Sequence, residues 1–122
     1  MASALQDRPE PAPISRLERL AAQRAAERRA RAVELARAAC LALERRGVEV
    51  RIVGSLATGR FGTHSDIDLL VTRCPRYLKY GIESDVEDVL MGFPFNLIYL
   101  DEVSERRRDR MFQEAMDARD LR

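Results

Sequence analysis

Apolar positions along the chain follow two different periods, and the switches between them outline a fold. Val33, Ala36, Cys40 and Leu43 recur at three- and four-residue intervals and share one stripe at 100° per residue. Ser15-Arg16-Leu17-Glu18 has the spacing of a capping box, alanines and arginines keep helix propensity high, and Gly47 suits a stop. A helix is therefore predicted over 15–46. Leu17, Leu20 and Leu35 fall on another side of it. On a straight helix the apolar residues of the N-terminal half lie beyond the reach of the domain core, which predicts a partner surface or self-association there.

Past Gly47 the period shortens. Strands are predicted over 48–53, 66–71 and 95–100, where β-branched and other apolar residues cluster in short runs. Between the last two, 72–80 reads as a loop around Pro75. A helix follows over 83–91, with Ile82, Val86, Val89 and Leu90 at helical spacing, Ser84 and Asp85 as caps and Gly92 as a stop. A final helix is predicted over 103–121, with Val103, Met111, Phe112, Ala115 and Met116 facing the core. Residues 1–14 carry Pro9, Pro11 and Pro13 without apolar periodicity and read as an extended or disordered tail. The fold class expected is α/β: one domain over 15–122, with a mixed sheet of three or more strands packed against a long N-terminal helix and a C-terminal helix.

Composition narrows this picture. With 122 residues the chain forms one domain with a small core. No apolar run is long enough to span a bilayer or to form a signal-peptide core, so no membrane contact and a cytoplasmic location are expected. Cys40 and Cys74 lie far apart without metal-ligand spacing and read as buried or half-buried free thiols. Net charge is only +1, but ten arginines face five glutamates between Arg16 and Arg51, whereas four basic residues face nine acids between Ile52 and Glu105. A basic helix can meet nucleic acid or an acidic partner. Against nucleic acid, arginine outnumbers lysine twenty to one, a bias that a GC-rich genome explains, and no aromatic residue interleaves with these arginines to stack on bases. Arg73, Arg76 and Lys79 are within range of phosphates in the sequence, although a solvated loop accounts for them as well. His64 is a single loop histidine, for which an incidental position is the simpler reading.

Candidate chemistry concentrates between Val48 and Val71. Asp66 and Asp68 alternate with Ile67 and Leu69, so on a strand both carboxylates project from one side, roughly 6.5–7 Å apart at Cα. Two converging carboxylates with hard oxygen donors suit Mg²⁺ or Mn²⁺. Ten residues upstream, Gly54-Ser55 ends the first strand. Glycine permits a tight turn and a close backbone approach, and the residues after it can open a short helix whose N–H groups would face a phosphate. Ser55 adds a hydroxyl donor or, alternatively, caps that helix.

Together these residues resemble a known signature. Gly54-Ser55-Leu56-Ala57, then Gly59, then Ser65-Asp66-Ile67-Asp68-Leu69-Leu70-Val71 is similar to the motif of the polymerase β-like nucleotidyltransferase superfamily. Within it the chain resembles the minimal nucleotidyltransferases, which often act as antitoxins beside HEPN-domain ribonuclease toxins. The resemblance implies a nucleoside triphosphate held at Gly54, Ser55 and Ser65, Mg²⁺ or Mn²⁺ held by the catalytic pair Asp66 and Asp68, and transfer of AMP from ATP to a hydroxyl of a HEPN-type partner. It also implies a third carboxylate on a later strand, where this chain has Asn96 in Phe95-Asn96-Leu97-Ile98. An amide cannot take a proton from an attacking hydroxyl. Asp101 lies five residues further on and faces the other side of an extended run. A second expectation therefore stands beside the first: a non-catalytic nucleotidyltransferase-fold module that neutralises a partner by forming a complex.

Overall fold

The computed structural model describes residues 15–122, and the tail expected over 1–14 lies outside them. Helix α1 (Arg16–Glu44) starts at Ser15, whose hydroxyl accepts the Glu18 N–H at 3.0 Å, as the capping box predicts. It leads through a turn with Gly47 at φ +82° into β1 (Glu49–Val53). The one-turn helix α2 (Gly54–Thr58), β2 (Ile67–Arg73), α3 (Glu83–Leu90), β3 (Phe95–Tyr99) and α4 (Glu105–Glu114) follow in that order.

The three strands form a mixed sheet in the order β1-β2-β3. β1 runs antiparallel to β2, while β3 lies parallel to β2. A parallel neighbour needs a crossover, and α3 supplies it. One face of the sheet, carrying Val50, Ile52, Leu69 and Val71, packs with Ala36, Cys40 and Leu43 of α1 and with Val86 and Leu90 of α3 in the hydrophobic core. By strand alternation the other face carries Arg51, Val53, Asp68, Leu70, Asn96 and Ile98. Helix α4 lies against that second face, where the Arg51 guanidinium stands 5.0 Å from the Phe112 ring centre.

Several expectations change here. Leu35, assigned to a side away from the core, is buried in it, because α1 contacts α3 as well as the sheet and so buries a broad stripe. Leu17 and Leu20 are exposed as predicted, at 78% and 38%. The last helix is shorter than 103–121. Ala115 leaves the helical region at φ −69°, ψ 144°, and the Met116 backbone exchanges two 2.8 Å hydrogen bonds with Ile52 on the outer side of β1. Tertiary pairing thus overrides the helical period: Ala118 and Leu121 are the buried residues of this segment, and of the five expected from 103–116 Met116 packs, partly buried, against the core. In α3 neither Ser84 nor Asp85 caps: Ile82 holds the cap position, and Asp85 pairs with Arg46.

The arginines of α1 have structural work on the inner side. Arg37 donates to the carbonyls of Ala118 and Leu121, and Arg29 to those of Leu56 and Arg122. Both cysteines are free, and burial pushes the Cys40 thiol up to about 12. Among the described residues no helix is long and apolar enough to cross a membrane.

Candidate active site

The sheet register brings the two halves of the motif together. Val53, the last residue of β1, is paired with Asp68, and Asp68 is paired with Asn96 on its other side. Val53, Asp68 and Asn96 therefore lie side by side across three strands at one end of the sheet, with Gly54 directly after Val53.

Gly54 is required there twice over. Its φ is +71°, a region L-residues rarely adopt, and a Cβ at this position would lie 2.2 Å from Asp68 Oδ2. The backbone turn and the carboxylate thus occupy adjoining space with no room for a side chain. Helix α2 follows directly, with no side chain capping it, so Ser55 does not act as its cap. A helix this short has little macrodipole, and what it offers are first-turn N–H donors without intrahelical acceptors.

Asp66 precedes β2, and its carboxylate is tied to the strand beyond. Asn96 Nδ2 donates to Asp68 Oδ1 at 2.9 Å and to Asp66 Oδ2 at 3.4 Å. The Asn96 amide thereby holds the two acids together. A neutral donor between two carboxylates relieves part of their mutual repulsion, where a third carboxylate would add to it. Among the described residues no group of three His, Cys, Asp or Glu side chains forms a self-sufficient metal cage. One pair of carboxylates still fits Mg²⁺, an ion commonly bound by one or two carboxylates, several waters and substrate phosphates.

The loop ahead of Asp66 is fastened from behind. Ser65 Oγ accepts the Gly62 N–H at 2.9 Å, so this hydroxyl already serves the loop. Arg28 of α1 reaches across to donate to the Ser65 carbonyl at 2.7 Å, and its guanidinium lies 4.3 Å from the Phe93 ring centre and 5.7 Å from that of Phe61. His64 is exposed and forms no side-chain hydrogen bond among the described residues.

A cleft of about 740 Å³ opens beside the acids. Val53, Gly54, Asp68 and Ile98 form one wall, while Arg106, Arg107, Arg110, Met111 and Glu114 of α4 form the other. Its volume lies in the range of small-molecule sites.

A family model for nucleotidyltransferase domains matches residues 33–118. The chain belongs to the nucleotidyltransferase domain family. That assignment covers everything from the buried half of α1 to the Met116 bridge, and so includes the whole cleft. This nucleotidyltransferase domain is also similar to a solved structure described as a candidate minimal nucleotidyltransferase, with 29% identity and a TM-score of 0.55 over 66% of this chain and 86% of that one. No curated protein matches it.

The cationic residues of the nucleotidyltransferase cleft are not those singled out in the sequence. Lys79 lies past the far end of β2, where it pairs with Asp101 at 3.0 Å and Glu102 at 3.1 Å. Those contacts hold its ammonium well above the usual lysine range. Asp101 sits at the same far end and does not replace the missing acid. Arg28, Arg106, Arg107 and Arg110 were missed. One signal for Arg106 and Arg107 was present: after Glu105, arginines follow in the first turn of α4, where the macrodipole favours acids.

Proposed function

We propose that this nucleotidyltransferase domain transfers a nucleoside monophosphate, AMP from ATP, to a hydroxyl of a partner protein, as the antitoxin of a toxin-antitoxin pair. The observation that carries the reading is the register that sets Val53, Asp68 and Asn96 in one row, with Gly54 next to it, beside a nucleotide-sized cleft. The HEPN-type partner and the choice of AMP rest on the resemblance to minimal nucleotidyltransferases.

In this reading the triphosphate lies along Gly54-Ser55, with its α-phosphorus near Asp66 and Asp68. The acceptor oxygen bonds to that phosphorus, the α–β phosphoanhydride P–O bond breaks, and pyrophosphate leaves. A divalent cation held by Asp66 and Asp68, Mg²⁺ or Mn²⁺, would supply charge neutralisation at the phosphates. Asp66 and Asp68 would hold that cation, Gly54 keeps the donor backbone close, and Ile98 and Met111 give the cleft apolar surface. Asn96 cannot accept the proton from the acceptor hydroxyl. If that position must supply a general base, transfer runs on the order of 10²–10⁴ below that of an enzyme with an acid there.

The same amide supports a second reading, a binding module that neutralises its partner through contact alone. In favour of it, Asn96 already spans both carboxylates by hydrogen bonds. The test is incubation with Mg²⁺, α-labelled ATP and the protein encoded next to this one. Label on that neighbour, abolished by Asp66→Ala, is the expected result. A stable complex that never acquires label rejects transfer in favour of the binding module.

A further inference from the structure

The acids of the cleft face a wall of opposite charge on α4. Arg106, Arg107 and Arg110 line the same cavity as Gly54 and Asp68. Their engagement differs. Arg110 Nε already donates to Glu114 Oε1 at 3.1 Å. Arg108, which is not part of the wall, turns back to the Val103 carbonyl at 3.0 Å. Arg106 and Arg107 make no side-chain hydrogen bond or ion pair among the described residues, although both are exposed and carboxylates are plentiful in the chain.

Their position is unfavourable for the helix. Cations in a first turn oppose the macrodipole. An anion between α4 and the sheet would offset that penalty. Such an anion also needs cations on this wall, because Asp68 on the opposite wall by itself repels a polyphosphate. Guanidinium groups present paired N–H donors that match phosphate oxygens, and here they stand across the cleft from Gly54 and Asp68.

We infer that Arg106 and Arg107 form a clamp for the β- and γ-phosphates of a nucleoside triphosphate, and hence for the pyrophosphate it releases. The clamp deepens the nucleotidyltransferase reading and rests on it. With two cations supplied by the chain itself, the polyphosphate depends less on bound metal for neutralisation.

The test is equilibrium binding of ATP, AMP and inorganic pyrophosphate, with Mg²⁺ present, to the full chain, to Arg106→Gln/Arg107→Gln, and to Asp66→Ala. Both arginines are exposed, so the double variant should unfold with the wild-type transition, which circular dichroism checks. The expected result is a 10- to 100-fold loss of affinity for ATP and pyrophosphate, AMP within twofold of wild type, and partial recovery in Arg106→Lys/Arg107→Lys. ATP affinity within twofold of wild type in the glutamine variant, with Asp66→Ala still impaired, overturns the clamp and leaves the nucleotide site standing. Equal losses for ATP and AMP also overturn it, since the arginines would then not read the terminal phosphates. If the wild-type protein binds neither ATP nor pyrophosphate, both the clamp and the nucleotide reading fail.

Discussion

Replacing Gly54 by alanine probes the close packing of the turn against the Asp68 carboxylate. The added methyl carbon would lie 2.2 Å from Asp68 Oδ2 and 3.1 Å from Asp68 Cγ, on a backbone with φ +71°. Two costs follow. Placing an L-residue at this φ costs about 1–2 kcal/mol. The Asp68 carboxylate must also swing away, giving up its 2.9 Å bond to Asn96, which contributes about 1 kcal/mol at this partly exposed position. The total is about 2–3 kcal/mol, and nucleotide transfer should be lost because Asp68 is displaced. The two terms separate in a double-mutant cycle. In an Asp68→Ala background nothing remains within 3.4 Å of the new methyl except the Asp68 Cβ itself. Gly54→Ala should then cost only the backbone term of about 1–2 kcal/mol. Urea unfolding of the four proteins gives the coupling energy directly. An equal cost of Gly54→Ala in both backgrounds would refute the close approach of turn and carboxylate.

Other perturbations have defined outcomes. Asn96→Asp should raise transfer to the partner if a base is all that is missing, and single-turnover label transfer measures it; unchanged activity with intact binding removes that explanation. Arg28→Ala removes a charged hydrogen bond and a cation–ring contact, so it should cost about 2 kcal/mol in urea unfolding and weaken Mg²⁺-dependent nucleotide binding by loosening Asp66. Arg119 beside Asp117 holds that carboxyl down to about 2, below its ordinary value of 3.8. Its contribution is therefore present above about pH 4 and fades as pH falls towards 2; at this exposed pair it is under about 1 kcal/mol, and Asp117→Asn should flatten that part of an acid-unfolding curve. The buried Cys40 thiol, raised to about 12, should resist alkylation at pH 8 in the native protein, while Cys74 reacts; mass spectrometry of labelled peptides distinguishes them.

The legible parts of the sequence were those set by local rules. The capping box at Ser15, the two strands flanking Gly54-Ser55 and Asp66-Asp68, and the position of Asn96 all depend on spacing within one element or on the period of a strand. Pairing across the sheet then carried Gly54 to Asp68 without further information. What escaped was decided by distant contacts. Met116 reads as a helical core residue, yet its backbone pairs with Ile52, 64 positions earlier, and ends the helix. Arg28 looks like one more charge on a basic helix, and only the fold shows it lying against the stacked rings of Phe93 and Phe61. Lys79 sits near the acids in sequence but at the opposite end of β2, because seven residues of strand intervene.

The Arg28 contact makes α1 more than a cover for the sheet. Its first two turns project past the core with Leu17 and Leu20 bare, and further along the same rod its guanidinium grips the carbonyl next to Asp66. Load applied at the free end is thus delivered to the segment that carries Asp66 by a stiff lever, without passing through the cleft, whose lining does not include Arg28.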